Sequence, residues 1–92
     1  MPVWTITVGT QPKKLLTGNK NRKVYSILNT SGETVYVGFS SKVTTTGKFK
    51  GIPVEANGGF WTDEYHKGEV WAVASSETEV TVIEVTEEEQ PK

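Results

Sequence analysis

Residues Arg22–Phe39 read RKVYSILNTSGETVYVGF, and this stretch decides the fold class. Two runs rich in β-branched and aromatic residues, Val24-Tyr25-Ser26-Ile27-Leu28 and Val35-Tyr36-Val37, flank the turn cluster Asn29-Thr30-Ser31-Gly32. Runs of this composition bounded by turn residues read as strands, and two of them about a short turn read as a hairpin. Gly32 is expected to supply the positive φ of the reversal. Val35, Val37 and Phe39 alternate with Thr34, Tyr36 and Gly38, which predicts that the first three face the core.

A similar pattern returns downstream, where Val70-Trp71-Ala72-Val73-Ala74 leads through Ser75-Ser76-Glu77-Thr78 into Val80-Thr81-Val82-Ile83. Val24-Tyr25-Ser26-Ile27 matches Val70-Trp71-Ala72-Val73, and Val35-Tyr36-Val37 matches Val80-Thr81-Val82. The expectation is two hairpins packed face to face, similar because hairpins are alike or because the chain holds an internal repeat.

Working outward, Val3–Val8 reads as a first strand with Trp4, Ile6 and Val8 on one face, and Pro12 stops it. Lys13-Lys14-Leu15-Leu16 reads as a short edge strand whose lysines discourage edge pairing. Gly18–Asn21 is loop. Ser40–Gly51 is polar and glycine-punctuated and reads as a long surface loop, functional or mobile, with a short strand around Val43–Thr45; Thr44–Gly51 is expected to be mobile and exposed. Pro53 confines Ile52–Val54 to an edge or a strand start. Ala56–Gly59 is a turn, Phe60–Thr62 a strand, and Asp63–Gly68 a second turn. The apolar positions Val80, Val82, Ile83 and Val85 change parity, so a bulge or a doubly buried strand is expected near Val82-Ile83. No stretch has helical periodicity. The fold class is all-β, a small antiparallel β-sandwich or jelly-roll-like barrel over residues 1–86, with an acidic tail at 87–92 expected to be disordered.

A chain of 92 residues makes one domain able to bury roughly 60–65% of its unfolded surface. It has no cysteine, so packing or oligomerisation must supply what disulfides would. The apolar runs are too short to cross a membrane, and Met1-Pro2-Val3-Trp4 lacks a signal-peptide pattern, so synthesis in the cytoplasm and no membrane partner are expected. Charge is lopsided. Residues 1–50 hold eight basic residues and one acid, 8 − 1 = +7, and residues 51–92 hold two and ten, 2 − 10 = −8. Either strands of the two halves neutralise each other inside the fold, or the molecule has two poles that meet partners.

Catalytic and cofactor chemistry finds no footing. His66 beside Asp63, Glu64 and Tyr65 reads as a solvated turn rather than a metal site, no serine sits in a nucleophile elbow, and Gly47–Gly51 lacks phosphate-loop spacing. The expectation is a protein that is not an enzyme, with no metal and no cofactor. Lys13, Lys14, Lys20, Arg22 and Lys23 with Tyr25 and Trp4 have the composition of a single-strand nucleic-acid face, but the acidic second half opposes phosphate, and no nucleic-acid binding is expected. Trp61 and Trp71 read as core in preference to a sugar-stacking platform.

The residues also carry a resemblance. The string Asn19–Asn29, then Val35-Tyr36-Val37-Gly38-Phe39, Val43-Thr44, Gly51-Ile52-Pro53-Val54, Gly58-Gly59 and Gly68-Glu69-Val70-Trp71-Ala72-Val73, resembles small β-rich proteins encoded among the virion genes of tailed bacteriophages. It spans about residues 19–85 and rests on turn and strand residues. The resemblance implies a non-enzymatic virion structural protein, a capsid decoration or head-fibre subunit, located in the virion and partnered by the phage capsid protein. The alternative is a small carbohydrate- or nucleic-acid-binding β module. A homo-oligomer, a trimer closed head to tail by its charge poles, is expected. Trp4, Lys13, Lys14, Arg22, Phe60 and Trp61 are the candidate interface residues.

Overall fold

The computed structural model describes residues 3–87, which form eight strands: β1 (Val3–Val8), β2 (Lys13–Leu16), β3 (Arg22–Asn29), β4 (Val35–Gly38), β5 (Ile52–Val54), β6 (Gly59–Asp63), β7 (Val70–Ala74) and β8 (Thr78–Thr86). No described helix is long and apolar enough to cross a membrane. Two antiparallel sheets result, sheet A in the order β1-β8-β3-β6 and sheet B in the order β2-β7-β4-β5. The pairs β1·β8, β2·β7, β3·β6 and β4·β5 nest one inside the next, and rolling this long double ribbon brings β8 beside β3 and β7 beside β4. That order is a jelly roll, so the fold is a small all-β sandwich of the expected class.

Alternation along the strands builds the core. Sheet A sends Val8, Tyr25, Ile27, Val80 and Val82 inward, and sheet B sends Val35, Val37, Val54, Val70, Ala72 and Ala74 to meet them, all buried. Trp4, Ile6 and Trp61 close the flanks of this cluster. Both edges of sheet B carry the features expected of them: β2 presents Lys13 and Lys14, and β5 holds Pro53, whose missing N–H costs nothing on an edge. The acidic tail lies outside the described residues except at its root, where Thr86 is buried in β8 and Glu87 N donates to Asn21 O at 2.9 Å.

The two expected hairpins are not hairpins. β3 and β4 belong to opposite sheets, as do β7 and β8, so each turn is an arch that crosses the sandwich, and the arches pair with each other as β3·β8 and β4·β7. Alternation reveals which face of a strand is wet, and an arch satisfies it as well as a hairpin does. What selects the arch is Asn29, fully buried, whose side-chain amide donates to Glu33 O at 2.7 Å and Val54 O at 3.0 Å while its Oδ1 accepts from Ser31 Oγ at 2.6 Å. Thr78 Oγ1 hydrogen-bonds Ser31 Oγ and joins the second arch to the first. Positive φ falls on Asn57, Gly58 and Gly47, not on Gly32, because the arch has no tight two-residue turn.

Two further expectations are corrected. Phe39 lies beyond the end of β4 and is 43% exposed, its ring stacked on His66 at 4.1 Å between centroids. The irregularity expected at Val82-Ile83 sits in the partner strand instead, between Arg22 and Val24 of β3, opposite Thr86 and Val85. That bulge at Lys23 reverses the parity of β3 and swings Arg22 inward. Val80 and Val82 are core residues, and Ile83 and Val85 lie on the outer face of sheet A.

The long loop between β4 and β5 is exposed but folded on itself. A single bridge, Thr44 with Lys50, replaces the expected short strand, supported by Thr44 N→Phe49 O and Gly51 N→Thr44 O at 3.0 Å each. Val43 pins the loop to the sandwich. Only glycine fits beside it, since a Cβ on Gly38 would stand 2.6 Å from Val43 Cγ2 and one on Gly51 would stand 2.7 Å from it and from Val37 O.

Candidate interaction surfaces

The six candidate interface residues do not meet. Trp4, on edge strand β1, faces inward and is half-buried, whereas Phe60 and Trp61 lie on β6 at the opposite edge of sheet A. Trp61 also points inward and donates from Nε1 to Tyr25 Oη at 3.0 Å; Phe60 points out, 69% exposed. Lys13 and Lys14 occupy the edge of sheet B. Lys14 pairs with Glu69 at 3.3 Å and lies over the Trp71 ring, whose Nε1 donates to the same carboxylate. The Trp71 hydrogen bond and then Lys14 hold the Glu69 carboxyl below its ordinary range. Trp71 is thus on the outer face of sheet B rather than in the core.

Arg22 is withdrawn from any surface. Arg22 is 1% exposed and each guanidinium nitrogen donates: Nε to Glu84 Oε2 at 2.9 Å, Nη1 to His66 O at 3.1 Å and Gly68 O at 3.0 Å, and Nη2 to Thr17 O at 2.6 Å. It fastens the β2–β3 and β6–β7 connections to β8. Tyr25 is buried beside it, donating to Asp63 Oδ2 at 3.1 Å; burial, reinforced by the Asp63 carboxylate and opposed by the Trp61 donor, pushes the phenol up to about 12. With Arg22 and Tyr25 inside, the basic-aromatic face considered from the sequence does not form.

The +7 and −8 halves interleave. Each sheet alternates strands of the first and second halves, and Lys14–Glu69 and Arg22–Glu84 tie one half to the other. Strands of the two halves thus lie side by side in both sheets, while Lys42, Lys48 and Lys50 stay together on the β4–β5 loop.

Two surfaces stand out. The first is the β4–β5 loop, which carries Lys42, Lys48 and Lys50 and lies in a stretch, Thr34–Val54, with no acidic residue. Between it and the opposite end of the sandwich runs an open cleft of about 690 Å³ floored by Val73 and Ala74, with Lys42, Phe49 and the hydroxyl-bearing Thr10, Ser41, Thr45 and Ser75 on its walls. On its other side a smaller hollow of about 270 Å³ lies against Phe39, Lys50 and Ile52. The second is the bare outer face of sheet A, where Phe60 lies opposite Leu28 and Val3 opposite Ile83. His66 stacks on Phe39 and its Nε2 bonds Glu69 O at 2.9 Å. Among the described residues no three His, Cys, Asp or Glu side chains gather as metal ligands would.

No family model, curated protein or solved structure matches this chain.

Proposed function

We propose that the chain is a non-enzymatic structural subunit of a tailed-phage particle, self-assembling and mounted on the capsid as a decoration or head-fibre protein. The observation that carries this reading is where the residues of the resemblance fall. Arg22 is the buried cation, Asn29 the arch pin, Gly38, Val43 and Gly51 the loop clamp, and Gly58 a positive-φ turn residue. These are determinants of one architecture, so a shared pattern of this kind supports a shared fold. Jelly rolls recur in capsid proteins, which supports the virion role by analogy of fold. Mass spectrometry of particles purified from the phage that encodes the chain tests this. The chain should be present in many copies per particle, and its absence would overturn the reading.

A second reading, a carbohydrate-binding module, rests on the cleft. The side-chain hydroxyls of Thr10, Ser41, Thr45 and Ser75 have no protein partner among the described residues, and Phe49 offers a ring 54% exposed. Hydroxyls beside an apolar ring suit a sugar, and Lys42 would favour one that carries a carboxylate. Titration of labelled protein with neutral and uronic-acid oligosaccharides should shift these residues only with the acidic series, and Phe49→Ala should abolish the shifts. No shift with either series removes this reading.

A further inference from the structure

The chain treats the two outer faces of its sandwich differently. On sheet B the β4–β5 loop comes over the outer face and Val73 beneath it is 4% exposed. On sheet A the regularly alternating outward side chains, Val3, Thr5 and Thr7 of β1, Glu79, Thr81, Ile83 and Val85 of β8, Val24, Ser26 and Leu28 of β3, and Phe60 and Thr62 of β6, keep solvent exposure. Of these twelve only Glu79 is charged, at a corner opposite Thr7, and the exposed Lys23 of the β3 bulge adds one cation at the other end of the face. A water-facing surface of ordinary composition is about 25–35% charged, which would place about three or four charges here. Five of the twelve are hydroxyl-bearing, and Ser26 and Thr62 already bond each other at 2.8 Å. Removing such a face from water puts no charge at its centre and leaves the hydroxyls of Thr5, Thr7 and Thr81 to pair across the contact.

We infer that this face binds a second copy of the same chain, sheet A stacked on sheet A about a two-fold axis. The charge pattern selects the occupant: a partner with ordinary charge density would bury unpaired ions against it, whereas a copy meets aliphatic and hydroxyl groups with its own. With the axis along the strands, β3 of each copy lies against β8 of the other and β6 against β1, at the ~10 Å spacing of packed sheets. Glu79 stays at the rim. The area is that of a weak dimer. The 28 residues of the four strands, at ~3.4 Å along and ~4.8 Å across each strand, outline about 460 Å² per copy, so two copies bury about 900 Å² or more, within the range of weak, reversible interfaces below about 1,200 Å². This deepens the self-assembly part of the proposed function and does not depend on the particle.

Sedimentation of the purified chain in buffer alone, across the micromolar range, tests it. The expected result is a monomer–dimer equilibrium that Thr81→Lys at the centre of the face, and separately Thr5→Lys on its exposed edge, weakens about tenfold or more. Both variants should keep the wild-type near-ultraviolet circular dichroism, and Thr46→Lys on the loop should leave the dimer intact. A monomer at every concentration overturns the inference while leaving the virion role standing. A dimer indifferent to both face variants overturns it equally. A dimer in buffer with no trace of the chain in purified particles upholds it and removes the virion role.

Discussion

Arg22→Ala should be the most damaging single change outside the apolar core. It leaves Glu84 without its cation and removes the donors from the carbonyls of Thr17, His66 and Gly68. Breaking a buried ion pair by deleting one partner costs about 3–5 kcal/mol. The carbonyls left behind belong to the exposed Thr17 and the partly exposed His66 and Gly68, where water replaces the lost donor at little cost. The Glu84 side chain is 15% exposed, so its charge recovers part of its hydration, and a net loss of about 4 kcal/mol follows. That is a large share of the roughly 5–14 kcal/mol that a domain of this length holds, and corresponds to a fall of about 15–30 °C in Tm. Arg22→Lys keeps the charge but lacks the planar fork, so it should lose about half as much. Arg22→Met with Glu84→Gln strands no charge and should lose less than Arg22→Ala. Urea unfolding followed by tryptophan fluorescence measures all three. If Arg22→Ala costs under about 1 kcal/mol, the guanidinium is not the fastener described.

Three other outcomes follow from the same structure. Because burial raises the Tyr25 phenol from 10.0 to about 12, the folded state holds a proton that the unfolded chain releases first. Stability from this group is complete below pH 10 and is lost as pH rises through 12; Tyr25→Phe should flatten that part of the curve, and an unchanged slope would contradict the burial of the hydroxyl. Gly51→Ala should lift the β4–β5 loop off its Val43 pin and speed trypsin cleavage after Lys48 and Lys50, whereas unchanged cleavage rates would mean that the pin does not hold the loop. Val37→Asp, which buries an unpaired carboxylate at a site with no exposure, should unfold the domain, and a thermal midpoint equal to wild type would contradict the inward register of β4.

Local pattern made the strands legible, and partner choice lay beyond it. Val3–Val8, Lys13–Leu16 and Ile52–Val54 announce themselves by alternation, edge lysines and Pro53. The pairing of β3 with β8 and β6 rather than β4 depends on contacts distant in sequence, and no local residue distinguishes an arch from a hairpin until the buried amide of Asn29 finds Val54 O across the sandwich. Arg22 looked like a surface cation because lysines surround it; the bulge at Lys23 turns it inward, and a bulge is specified by partner strands. Phe39 continued a perfect alternation one step past the end of β4. The outer face of sheet A was present in the sequence as the off-parity residues Val24, Leu28, Ile83 and Val85, but only the register shows them side by side.

The proposed virion role is tested most directly by mixing the purified chain with DNA-free heads of the tailed phage that this proposal makes its source and sedimenting the mixture. The account predicts saturable binding, with a copy number set by the symmetry of the capsid lattice and unaffected by oligosaccharides. No cosedimentation at any concentration, with heads shown to be intact, would contradict it.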